Sequence, residues 1–126
     1  MQSRFHEGTI VERKKAGIIT HPGIIVIQGN KLMVIHNTPF SGGVVLSTLS
    51  EYSNGHDVIV SKKYTPSLPP FQIAANARSA IGQKWLLFFN CQHFVTWAAG
   101  HKPNSPDLNM AYFLGFGALC LLAIKR

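Results

Sequence analysis

One cysteine and two histidines carry the chemistry that this chain offers. A thiol hydrolase or acyltransferase needs a thiolate, a neighbouring imidazole and a group that orients the imidazole. Cys91, His21 and His36 are residue types that could fill those roles in that order. Cys91 lies in Phe89-Asn90-Cys91-Gln92-His93-Phe94. Asn90 is a good helix N-cap, because its side-chain oxygen accepts a backbone N–H from the first turn. Cys91, Phe94, Val95 and Ala98 recur at helical spacing and share a stripe, and Gly100 supplies a stop. Cys91 is therefore expected at the first turn of a short helix, where the helix dipole favours a thiolate.

The histidines need a hairpin to bring them together. Residues 8–13 read as a strand, with Lys14, Lys15 and Ala16 as a polar turn. Residues 17–27 are β-branched and read as a buried strand. Pro22 cannot donate a ladder hydrogen bond, so the strand is expected at an edge or bulged there. Gln28-Gly29-Asn30-Lys31 is a tight-turn signal, and residues 32–36 return. With Gly29-Asn30 as a two-residue loop, Gln28 pairs with Lys31 and His36 falls opposite Gly23. His21 is then the diagonal neighbour of His36 on the same face, about 7–8 Å away. A three-residue loop would send the two to opposite faces. Gly23, lacking a side chain, leaves room beside His36. Spacing alone leaves two readings level: a catalytic set, or ordinary partly buried histidines with local hydrogen bonds.

The remaining chain frames this set. Residues 37–43 read as a loop, 44–46 as a short strand and 47–52 as a turn of helix ended by Ser53-Asn54-Gly55. Residues 56–62 alternate as a strand. Pro66, Pro69 and Pro70 lead into a helix in which Ile73, Ala74, Ala77, Ala80 and Ile81 share a face. Trp85 and the Phe88-Phe89 pair read as core. His93 lies off the Cys91 face and is expected to be structural. His6, His56 and His101 lack metal-ligand spacing and read as surface residues. Residues 101–109 form a polar linker with two prolines. Residues 110–124 are uninterrupted by charge and close on Lys125-Arg126. That run is shorter than the about 20 residues usual for a ~30 Å hydrocarbon core. Spanning a thin bilayer, half-insertion and packing on the domain are all open to it; the basic pair favours a membrane anchor.

Composition narrows the function classes. Twelve Lys and Arg against five Asp and Glu give a net charge of +7, which suits anionic partners such as acidic headgroups. The basic residues are scattered and no nucleic-acid-binding motif surrounds them, so nucleic acid is not the expected partner. Only two cysteines are present, and Cys120 sits in the apolar tail. No disulfide framework is indicated, and a reducing compartment fits. The polar, charged first residues do not read as a secretory signal.

Thr20-His21-Pro22-Gly23-Ile24, Val34-Ile35-His36 and Asn90-Cys91-Gln92-His93-Phe94-Val95 resemble the lecithin:retinol acyltransferase (LRAT) family of NlpC-type, papain-like thiol enzymes. The resemblance runs over residues 8–100, and Asn-Cys-x-His-Phe is its specific part. It implies an α+β, permuted papain-like fold: a small antiparallel sheet against helices, followed by an apolar C-terminal helix. It implies Cys91 as nucleophile, His21 as base and His36 as the orienting member, with no metal or organic cofactor. The expected reaction transfers an acyl group from a lipid ester, usually a phospholipid, through a thioester to water or another acceptor. The expected setting is a membrane, reached through the C-terminal segment, with the catalytic domain (residues 1–100) facing the cytoplasm. Alternatives within the resemblance are an NlpC-type peptidase or amidase and an inactive H-box/NC-type viral-like interaction protein. Two positions depart from the family pattern. Gln92 stands where Glu is usual, and Pro22 where an aromatic is common.

Overall fold

The computed structural model describes residues 5–16, 19–86 and 90–102; the apolar segment 110–126, Cys120 and Phe88-Phe89 lie outside the described residues. Within them the chain is α+β, with five strands and three α-helices. The strands are β1 (Ile10–Ala16), β2 (Ile19–Gln28), β3 (Lys31–Thr38), β4 (Gly43–Thr48) and β5 (Val58–Val60). They form one antiparallel sheet in the order β4-β3-β2-β1-β5. A 3₁₀ turn at Pro39–Ser41 links β3 to β4, and α1 (Leu49–Ser53) follows directly. The helices α2 (Pro70–Ser79) and α3 (Cys91–Ala98) complete the domain.

The β2–β3 hairpin takes the expected register. Gln28 pairs with Lys31, and the ladder runs to Ile24 opposite Ile35. Gly29 has φ +64°, which a glycine-first two-residue turn requires. Strand alternation then sorts the side chains. Ile24, Val26 and Ile35 meet Ile73, Ala74, Ala77, Phe94, Val95 and Ala98 of α2 and α3 in the main core. Val11, Ile25 and Val34 meet Phe5 and Tyr52 of α1 on the opposite face. Complete burial of a side chain as large as Phe94 contributes about 1.5–3 kcal/mol, so this seam is what seats α3.

Several local expectations are corrected. Lys14 and Ala16 continue β1 instead of forming a turn, with a register shift between them that absorbs the irregularity. Arg13, one of the scattered basic residues, is 6% exposed. It shares the inward face of Val11, two residues before it, and so follows the strand period. Ile81 is exposed, because α2 stops at Ser79 and the chain turns away before the helical stripe reaches it.

Pro22 lies in the central strand of the sheet, not on an edge strand. Its surroundings still obey the reason behind the expectation. The N–H and C=O of Ile25 both bond toward the β1 side, to Thr9 and Gly8. Alternate residues turn their groups the other way, so the missing N–H of Pro22 faces β3. The β2–β3 ladder has already ended at Ile24 there. No ladder bond is lost.

Candidate active site

That ladder end creates the site. Beyond Ile24 and Ile35 the start of β2 follows β1, while the end of β3 follows β4. The two strands fork, and one histidine stands on each arm. His21 and His36 share the Tyr52 face, with His21 Nε2 2.8 Å from His36 Nδ1. The rings are edge to face at 5.0 Å between centroids. Tyr52 packs on both, 5.6 Å from the His21 ring and 5.1 Å from that of His36. On its other ring nitrogen, His36 Nε2 is 2.9 Å from Ser47 Oγ.

Tyr52 is fully buried and fixes the pair from beneath. Its hydroxyl donates to the His21 carbonyl oxygen. Arg13 Nε donates to the Tyr52 carbonyl at 2.5 Å, and its guanidinium carbon lies 5.5 Å from the Tyr52 ring centre. Burial pushes the Tyr52 phenol well above its ordinary value, and the charges of Cys91 and Glu12 push the same way against Arg13. Tyr52 therefore stays a neutral donor.

Cys91 is the first residue of α3 and is 4% exposed. Its two sequence neighbours are tied to the two arms of the fork. Asn37 Nδ2, beside His36, donates to the Asn90 carbonyl at 3.2 Å. Gln92 Nε2 donates to the carbonyl of Thr20, beside His21, at 3.5 Å. The body of α3 packs on the opposite sheet face, but its first turn sits where the strands part. An amide can donate to the Thr20 carbonyl, whereas a carboxylate could not.

The helix start is built as the sequence suggests and then tightened by His93. The Asn90 side chain accepts from the N–H groups of Gln92 at 2.9 Å and His93 at 3.2 Å. His93 Nδ1 accepts the Asn90 N–H at 3.2 Å, closing a capping box in which an imidazole takes the place usual for Glu or Gln. That bond needs a neutral ring, and burial holds the His93 pKa below its ordinary value. His93 is structural, as expected. His6, His56 and His101 are all exposed. Among the described residues no group of three or more His, Cys, Asp or Glu is placed to hold a metal ion.

A cavity of about 400 Å³ opens beside the imidazole pair, lined by Arg13, His21, His36 and Ser47, with Phe40 and Glu51 among its other walls. Ser47, Tyr52, Arg13 and Asn37 were not singled out from the sequence as parts of a site. Ser47 reads only as part of a turn of helix, although α1 begins at Leu49 and Ser47 belongs to β4, while Tyr52 closes the Leu49-to-Tyr52 turn that the family resemblance includes without giving it a role. The spacing of Arg13 from Val11 was the available signal for that residue. No helix among the described residues is long and apolar enough to cross a membrane. No family model matches the sequence, and no curated protein compared with it matches either.

Proposed function

We propose that this chain is a cysteine-dependent acyl hydrolase or acyltransferase of LRAT-like, permuted papain-like type, acting on lipid esters through a thioester. Cys91 is the nucleophile, His21 the base and His36 the orienting member. One observation supports this most: the hydrogen-bonded His21–His36 pair stands at a strand fork whose arms hold the residues on either side of Cys91. Core histidines satisfied by local hydrogen bonds would not require a helix N-terminus fastened across that opening.

The chemistry follows from the parts. The start of α3 favours sulfur as thiolate. His21 takes the thiol proton, and the Cys91 sulfur attacks the ester carbonyl. The same imidazole then returns the proton to the departing alcohol. Water or a second acceptor releases the acyl group by the reverse sequence. His36 keeps the His21 ring aimed and spreads the charge it acquires. A phospholipid ester is the proposed donor, with residues 110–124 holding the domain at the membrane.

The test is alkylation of Cys91 by iodoacetamide at about pH 6.5, where an ordinary thiol with a pKa near ~8.5 reacts slowly. Cys91 should react well before Cys120. His21→Ala should slow it strongly and His36→Ala less. Unchanged alkylation in His21→Ala would remove His21 from the role of base.

A further inference from the structure

We infer that Ser47 sets the tautomer of the imidazole pair by accepting a hydrogen bond from His36, which makes it a positioning residue for the reaction proposed above, on which this inference rests. Ser47 reaches His36 by the rule that joins the two histidines. Val34 pairs with Ser47 and His36 with Val45, so Ser47 is the diagonal neighbour of His36 on the β4 side. The three side chains thus run across β2, β3 and β4 on one face, with separations of 2.8 and 2.9 Å.

A neutral imidazole has one N–H and one lone pair. The chain of three groups therefore has two self-consistent directions. In the first, the Ser47 hydroxyl donates to His36 Nε2, and His36 Nδ1–H donates to His21 Nε2. His21 then carries its hydrogen on Nδ1 and has no lone pair there for a thiol proton. In the second, His36 Nε2–H donates to Ser47 Oγ, and His21 Nε2–H donates to His36 Nδ1. His21 Nδ1 then presents its lone pair. Only the second direction gives a base.

The position of Ser47 allows that direction. It is half-buried on β4, an edge strand, and lines the cavity together with Thr38 and Ser41. While its oxygen accepts from His36, its own hydrogen can turn into that polar space. Once His21 gains a proton on Nδ1 it keeps donating from Nε2, and His36 keeps donating to Ser47. No further proton has to move.

The experiment uses the full chain in detergent micelles with ¹⁵N-labelled histidine, comparing wild type, Ser47→Ala and Ser47→Thr by two-bond ¹H–¹⁵N correlation at about pH 7.5. Both His21 and His36 should carry hydrogen on Nε2 in wild type and in Ser47→Thr, which keeps the oxygen. In Ser47→Ala the His36 hydrogen should shift towards Nδ1. Alkylation of Cys91 should then slow about threefold to tenfold, the scale of one ordinary hydrogen bond, and recover in Ser47→Thr. Wild-type His36 with its hydrogen on Nδ1 would overturn the inference. So would an unchanged pattern and rate in a folded Ser47→Ala. If Ser47→Ala fails to fold, the wild-type tautomer decides alone. This readout needs no substrate. A Ser47-dependent tautomer in a protein with no acyl chemistry supports the positioning and removes only the reaction.

Discussion

Replacing Gly23 with alanine should damage fold and site together, although its backbone conformation suits any residue. Gly23 is one step past the last β2–β3 pair, facing His36 across the fork. A Cβ there would lie 2.6 Å from Val34 Cγ1, 3.0 Å from Tyr52 Cε1 and 3.2 Å from Tyr52 Cζ. Ordinary carbon contacts are ~3.5–4.0 Å, so Val34 Cγ1 would have to retreat by about 0.9–1.4 Å and the Tyr52 ring by about 0.3–1 Å. Neither retreats easily. Val34 is completely buried and stiff at its branched carbon, and Tyr52 is held by its hydroxyl bond to His21 and by Arg13. Overpacking of this kind costs about 1–3 kcal/mol. Against it, alanine lowers the entropy of the unfolded chain, contributing about 0.4–1 kcal/mol of stability. The steric cost wins, with a net loss of about 1–2 kcal/mol. For a domain near 100 residues that is a fall in Tm of about 5–15 °C. Chemical unfolding of Gly23→Ala, Val34→Ala and the double variant forms the assay. Val34→Ala removes the nearest clashing atom, so the double variant should lose less than the sum of the singles. A Gly23→Ala protein as stable as wild type, or strict additivity, would refute the reasoning.

The helix start yields two more predictions. Asn90→Ala removes the acceptor for two N–H groups, and should cost about 1 kcal/mol by urea unfolding, with Asn90→Asp restoring most of it. Retention of full stability in Asn90→Ala would show that the cap is idle. For His93, burial keeps the folded-state pKa below its ordinary 6.5. Between that lowered value and 6.5 the unfolded chain binds more proton, so stability is full above about pH 6.5 and falls as pH drops through the window. His93→Gln keeps an acceptor for the Asn90 N–H but does not titrate. Its urea midpoint should fall less between about pH 7.5 and pH 5 than that of wild type, and equal falls would contradict the assignment.

The hairpin was readable because three signals agreed: β-branched strands, a glycine-first turn and a period of two. Those placed His21 and His36 side by side. The cap and stripe of α3 were readable for the same reason, since Asn90, Cys91 and Phe94 are local to one helix. The fork was not readable. It arises where β2 leaves β3 for β1, and the order of five strands is a property of non-local pairing. For that reason Pro22 could be assigned a missing ladder bond but not the central strand that tolerates it. Ser47 was hidden in the same way. A serine two residues before a helix carries no local sign that its hydroxyl meets an imidazole across the sheet. Arg13 was masked by its basic neighbours, although the strand period alone would have turned it inward.

The central claim is that Cys91 carries an acyl group during turnover, and intact-mass analysis of the full chain after incubation with mixed phospholipids tests it most directly. The account predicts a gain of one acyl chain in wild type, removed by hydroxylamine as a thioester would be, and no gain in Cys91→Ser. An absence of any adduct in wild type, with phospholipid and peptide esters alike, would contradict it.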